Sequence, residues 1–234
     1  VVSTNQLRYP FASTNDYFLS TSDVFSNKYN PNINVCAQCH NHRGASWSST
    51  SRPPHHSPQY NMLLGTVGEL DTNVTRWTAS HALMLEKQCV SCHMQPSASQ
   101  PVSAGHHFQV ESYALCLTCH PLPGPLIDFT QSVISRDIQE VKAELDYWGL
   151  TKAPAALRTK YGAMSWEYST PGELSSGTQG PTSAEQALIP VAIQKARFNL
   201  YIVYHDGSCG VHNGIHSVNL MEAAQAWVEQ ELSK

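Results

Sequence analysis

Charged side chains are scarce in this chain: Asp, Glu, Lys and Arg make up 14% of its 234 residues, against roughly 25% in an ordinary soluble domain. The formal net charge is −4, which gives no basic footprint for nucleic acid. No stretch approaches the roughly 18 apolar residues expected of a membrane span. No segment alternates convincingly between apolar and polar positions, so little or no β-sheet is expected. The start, Val1-Val2-Ser3-Thr4-Asn5, has neither an initiator Met nor a signal-peptide pattern, and reads as a mature or processed chain or as a piece of a longer one. Ser, Thr, Asn, Gln, Pro and Gly fill the place of the missing charges and predict much turn and irregular loop. Such a chain needs more than its own side chains to build a core. Large apolar rings bound inside it would serve.

What is present is unevenly spread. Residues 35–125 hold six of the seven cysteines and nine of the twelve histidines. Residues 1–34 read as an N-terminal extended segment, 35–125 as a cysteine- and histidine-bearing region, and 126–234 as a helical C-terminal region. Trp77 to His93 reads as a short helix, and Ser46 to Pro58 as irregular. From Asp128 to Leu145 the pattern becomes helical, with Ile134, Ile138, Val141, Leu145 and Trp148 at steps of four and three. Asp128 or Thr130 would cap its start and Gly149 its end. Residues 150–182 read as loop. A second helix is expected from Ser183 to Tyr204, with Pro190 in an early turn or at a kink, and a third from Ser217 to Leu232. The expected fold is mainly α with extensive irregular loops.

The chemistry lies in one motif met three times: Cys36-Ala37-Gln38-Cys39-His40, Cys89-Val90-Ser91-Cys92-His93 and Cys116-Leu117-Thr118-Cys119-His120. C-x-x-C-H is the attachment signature of c-type haem. Two thiols two residues apart on one helical turn can each add to a vinyl group of the same porphyrin. The adjacent imidazole then points at the iron as proximal ligand. Structural zinc is the competing reading, because CxxC pairs also build thiolate sites. It explains neither the odd number of pairs nor a His directly after every second Cys. Three covalently attached haems c are therefore expected, with His40, His93 and His120 as proximal ligands.

A second axial ligand on each iron decides between transport and catalysis. No CxxCK variant occurs, and none of the five Met residues sits in a setting that singles it out. Histidine is the expected distal ligand, drawn from His55-His56, His81, His106-His107 and His212; His42, His205 and His216 are weaker candidates. Spacing pairs none of these with a particular haem. Two imidazoles per iron leave no open position for substrate, so the expected activity is outer-sphere electron transfer. The alternative is a reductase of a nitrogen or sulfur oxyanion, for which Arg43, Arg52, Tyr60 and Lys87 are the residues that could line a site.

The runs Asn34-Val35-Cys36-Ala37-Gln38-Cys39-His40-Asn41, Pro54-His55-His56-Ser57, Cys89-Val90-Ser91-Cys92-His93-Met94 and Gly105-His106-His107-Phe108 resemble multihaem c-type cytochromes. The tail Tyr204-His205-Asp206-Gly207-Ser208-Cys209-Gly210-Val211-His212-Asn213 is similar to the closing segment of that group and, more distantly, to the C-terminal part of pentahaem nitrite reductases. The resemblance implies export to the periplasm or exterior, bis-His ligation, and His55, His56, His81, His106 and His212 as ligand candidates. Those reductases carry a lysine-ligated catalytic haem, and this chain has no such motif. Five candidate distal ligands exceed three haems by two. In extracellular cytochrome filaments, which the motifs also resemble, a spare His ligates the haem of a neighbouring chain. The partners implied are redox proteins or other cytochrome subunits, including further copies of this chain in a homopolymer. Cys209 belongs to no CxxCH unit and is expected to be a buried thiol or an intermolecular disulfide partner.

Overall fold

The computed structural model describes residues 34–54, 57–85, 87–95 and 108–234. The expected extended segment, residues 1–34, lies outside them save for Asn34, and so do His55, His56, His106 and His107. Among the described residues there are eight α-helices and no strand, so the fold is mainly helical with irregular loops, as the composition implied. In chain order the helices are α1 (Asn34–Cys39), α2 (Gln59–Leu64), α3 (Ser80–Met84), α4 (Cys89–His93), α5 (Pro123–Thr151), α6 (Ala155–Tyr161), α7 (Val191–Asp206) and α8 (Gly214–Leu232).

The main core is built where α5, α7 and α8 pack together. The predicted stripe on α5, Ile134, Ile138, Val141, Leu145 and Trp148, is buried along its whole length. Each aliphatic side chain so buried is worth about 1.5–3 kcal/mol. On α7, six consecutive residues from Phe198 to Val203 are buried, so this helix is enclosed on every side. That enclosure explains why the polar Asn199 must bond fully. It accepts from the Glu69 amide at 2.7 Å and donates to the carbonyls of Glu69 (2.8 Å) and Leu220 (3.1 Å).

Several expected boundaries shift. The long helix starts at Pro123, whose fixed φ suits a first turn, well before Asp128 or Thr130. It also runs past Gly149 to Thr151. Gly149 is thus no cap: a Cβ there would stand 2.6 Å from the Ala163 carbonyl oxygen, so the glycine serves a close backbone crossing. The segment read as loop contains α6 and a 3₁₀ turn, Gly162–Trp166. The second helix begins only at Val191, with Pro190 directly before it and a separate 3₁₀ turn at Glu185–Leu188. The single helix expected over Trp77–His93 is two short ones, α3 and α4, broken where Gln88 takes φ 36°.

The N-terminus of α8 fastens the two halves of the chain to each other. Asn213 accepts from the His216 amide at 3.2 Å as N-cap. Its own amide donates to the carbonyls of Met62 (3.1 Å) and Trp77 (2.7 Å). One turn further on, the fully buried His216 donates from Nε2 to the Val67 carbonyl at 2.8 Å. Burial pushes this ring down from 6.5 to about 4; Arg76 adds to the effect, while Val67 and Asp206 oppose it. The folded ring refuses a proton that the unfolded chain takes up. Stability should therefore fall as pH drops from 6.5 through about 4, by about 3 kcal/mol in all. Urea unfolding followed by circular dichroism at pH 7 and pH 4.5 should show this loss in the native chain, and His216→Gln should lack it.

Candidate functional site

Each CxxCH unit is wound into a single turn. The first occupies α1, closed by a bond from the His40 amide to the Cys36 carbonyl at 2.7 Å. The second is α4 itself. The third is a 3₁₀ turn, Cys116–Thr118, with the His120 amide on the Cys116 carbonyl at 2.8 Å. A turn of this kind brings both thiols and the following imidazole to one side of the backbone. All seven cysteines are free thiols.

The three units adjoin one another in chain order. The Cys36 and Cys89 thiols share a hydrogen bond, which lowers the pKa of Cys36 and raises that of Cys89. Burial raises Cys92, and the nearby Cys116 raises it further. The second motif therefore stands between the first and the third.

Two pairs of imidazoles come together. His81 of α3 faces His120, with ring centroids 6.2 Å apart and planes at 79°. His93 of α4 faces His212, with centroids 6.1 Å apart and planes at 58°. In both pairs a CxxCH histidine meets one of the predicted distal candidates.

His93, His212 and His81 of these pairs, and His40, each make a further hydrogen bond. His93 Nδ1 donates to the Phe108 carbonyl at 2.9 Å, and His212 Nδ1 donates to the Asp206 carboxylate at 2.7 Å. Nδ1 of His40 donates to the Gln59 side-chain oxygen at 3.0 Å, while the Gln59 amide donates to the carbonyls of His205 (3.0 Å) and Asp206 (3.3 Å). Each such bond fixes the tautomer and leaves Nε2 available to a metal, the arrangement usual around a metal-bound histidine. His81 bonds the Val211 carbonyl, while burial and the neighbouring His120 and His212 push its pKa down. For His212, burial works against charge, but the Asp206 carboxylate outweighs it and raises the ring's pKa.

The loops that deliver these groups are strained. Among the described residues, four non-glycine residues have positive φ: Arg43 (49°), Gln88 (36°), Phe108 (58°) and Cys209 (48°). Each lies beside a motif or on a loop leading to a ligand, and such backbone costs of order 1–3 kcal/mol per residue. Cys209 is only half-buried, packed at the edge of the main core.

Two of the weaker histidine candidates, His205 and His216, have contacts of their own away from the motifs. His205 stacks on Tyr201, centroids 5.6 Å apart, and approaches Glu173 at 3.5 Å. His216 is a core residue, and His42 is buried. Of the residues considered for a substrate site, Tyr60 is buried, the Arg43 guanidinium donates to the Cys39 carbonyl at 3.4 Å, and Arg52 and Lys87 are exposed. Asp206, Gln59 and the Phe108 carbonyl were not singled out by the sequence reading. For Asp206 the one available signal is an acidic residue six positions before a ligand candidate, across the glycine turn of Gly207 and Gly210.

The donor set suits haem c rather than a bare ion. Among the described residues no three His, Cys, Asp or Glu side chains converge as a metal cluster. Paired imidazoles, free thiols and exposed apolar side chains beside the motifs, Leu83, Met84, Phe108 and Leu117 among them, are what a ligated porphyrin would use. Residues 35–121 match the family described as cytochrome c554 and c-prime. The fold resembles the crystal structure of the outer cell wall cytochrome OcwA, with a TM-score of 0.55 and 24% identity over 85% of this chain and 35% of that one. This chain thus spans about a third of that cytochrome's length. No curated protein matches. The family match spans all three CxxCH units, and the structural likeness shows a shared fold.

Proposed function

We propose that the chain carries electrons through three haems c, tethered at Cys36 and Cys39, Cys89 and Cys92, and Cys116 and Cys119, as a carrier rather than an enzyme. The observation that carries this reading is the spacing of the two imidazole pairs. A metal–imidazole bond of about 2 Å, plus about 1 Å from nitrogen to ring centre, puts two rings sharing one metal about 6 Å apart between centroids. Both pairs have that separation. His120 and His81 are assigned to one iron, and His93 and His212 to the next. His40 is the proximal ligand of the remaining one, whose partner is drawn from His55, His56 and His106. Haem bound in this way supplies a one-electron Fe(III)/Fe(II) couple. The protein's part is to saturate the iron with imidazole, so that no substrate enters, and to hold neighbouring motifs in contact.

We read residues 35–125 as the haem-bearing region and 126–234 as the part that adds His212. Likeness to an outer cell wall cytochrome supports a periplasmic or extracellular location, with redox proteins or other cytochrome subunits as partners. The surplus of ligand candidates favours an extended form of the same reading, a homopolymer in which chains share a ligand.

The test is spectroscopic. The purified chain should exceed its polypeptide mass by three haems, and its reduced spectrum should show the sharp α-band of haem c. Cyanide and nitrite should leave the Soret band unmoved. A colourless product ends the proposal, and a response from one haem would turn it toward the reductase.

A further inference from the structure

The nitrogens that face away from the paired surfaces meet unlike partners. His40 donates to a side-chain amide oxygen, His93 to the Phe108 carbonyl and His81 to the Val211 carbonyl, all neutral acceptors. His212 alone of these four donates to a carboxylate, that of Asp206, at 2.7 Å. The Asp206 side chain is 1% exposed, so water does little to screen its charge. It sits at the C-terminal end of α7, and its other oxygen accepts from the Ser208 hydroxyl. The Ser208 oxygen in turn accepts from the His212 amide at 3.1 Å. The hydroxyl and the imidazole thus share the charge of one carboxylate.

We infer that Asp206 sets the haem held by His93 and His212 at a lower potential than the haems beside it. A carboxylate drawing on the Nδ1 proton gives the imidazole partial anionic character and makes Nε2 a stronger donor to iron. The stronger donor, together with an unscreened negative charge close by, stabilises Fe(III) over Fe(II). The neutral acceptors on His40, His81 and His93 exert no comparable pull. The inference rests on the ligand pairing proposed above. Asp206 acts through His212 and is a positioning residue, with no contact to the iron.

The order of the motifs gives this its meaning. Cys36 touches Cys89, and Cys92 lies near Cys116, so the haem that Asp206 governs is the middle one. A relay whose middle site has the lowest potential holds its electrons on the outer two, and every crossing passes a raised central step. Asp206 would then control the rate of passage through the chain in both directions alike.

Potentiometric titration of the haem-loaded full chain tests this. In Asp206→Asn, which keeps shape and an acceptor oxygen but removes the charge, one midpoint should rise while the others stay. In Ser208→Ala the carboxylate loses its hydroxyl donor and bears more fully on His212, so the same midpoint should fall. Titrations of both variants that superimpose on the native curve would overturn the inference, as would a uniform shift of every midpoint. If Asp206→Asn fails to fold, Ser208→Ala decides alone, with a lowered midpoint in support and an unmoved one against. His212→Gly separates the two levels. If it exposes no haem to cyanide, the pairing itself falls; if it exposes one while Asp206→Asn moves no potential, only the role of Asp206 is lost.

Discussion

Replacing His81 by glycine should add one cyanide-binding, high-spin haem to each chain and leave the haem of the His93–His212 pair low-spin. The reason is local. His81 sits on α3, a five-residue helix whose buried residue is Ala82, so the imidazole contributes little to packing. Its ring faces His120 and bonds the Val211 carbonyl. Removing it costs the helix about 1 kcal/mol through glycine's backbone freedom, too little to unfold a protein stable by some 5–15 kcal/mol. What is lost is one axial ligand. His212→Gly should open a different haem, and the double variant should open two, because the pairs share no ring. Cyanide titration of the Soret band, read as equivalents bound per chain, counts them. A His81→Gly protein indistinguishable from the native one would remove His81 from the ligand set and with it the assignment of His120's partner.

Arg197→Leu should cost about 3–5 kcal/mol, the usual penalty for breaking a buried charge network from one side, and so remove much of the stability of the helical region. Arg197 is fully buried on α7. Its Nη1 donates to the carbonyls of Trp166 (2.7 Å) and Glu167 (2.8 Å), and the guanidinium lies 4.1 Å from the centre of the Tyr168 ring. Burial lowers its pKa, and Tyr168 and Glu167 oppose that fall. Glu167, also fully buried, is raised by the same desolvation and held by Ser175, Tyr201 and the Tyr168 amide. Leucine would take the donor from the Trp166 carbonyl, leave the Glu167 carbonyl to Gln186 alone, and leave the Glu167 side chain without its positive neighbour. Lysine should not restore stability, since an ammonium cannot make the planar stack on Tyr168. Urea unfolding followed by circular dichroism measures both variants. A loss below about 1 kcal/mol would show that water or a shifted side chain replaces the guanidinium.

The parts of this molecule that follow from local pattern could be read from sequence, and the parts set by the path of the chain could not. The stripe from Ile134 to Trp148 is buried as its spacing implied, since one long helix facing one core leaves an unbroken period. The short helix α6 gave no such signal: Leu157 is its one buried residue, and one anchor makes no period. Gly149 looked like a terminator because glycine usually is one. Here the reason for it is the backbone of Ala163, which crosses from a later segment. The CxxCH turns carry their chemistry within five residues and were plain. Which imidazole meets His93 depends on how α7, α8 and the turn between them return to α4, a tertiary fact that spacing does not encode. Asp206 is hidden for the same reason, its role visible only once His212 has a position.

The two imidazole pairs differ in where their members fall along the chain. His81 precedes His120, so both rings of that pair exist once the third motif has been made. His93 must wait for His212, which follows α5, α7 and the strained turn through Cys209 in the chain. Synthesis runs from the N-terminus, so the second motif is among the first to offer its thiols but the later of the two to receive its opposing ring. A polypeptide cut short between residues 121 and 211 would still hold all three attachment motifs, yet would lack the side chain that faces the second one. On the proposed pairing, such a truncation would leave the middle iron open to small ligands.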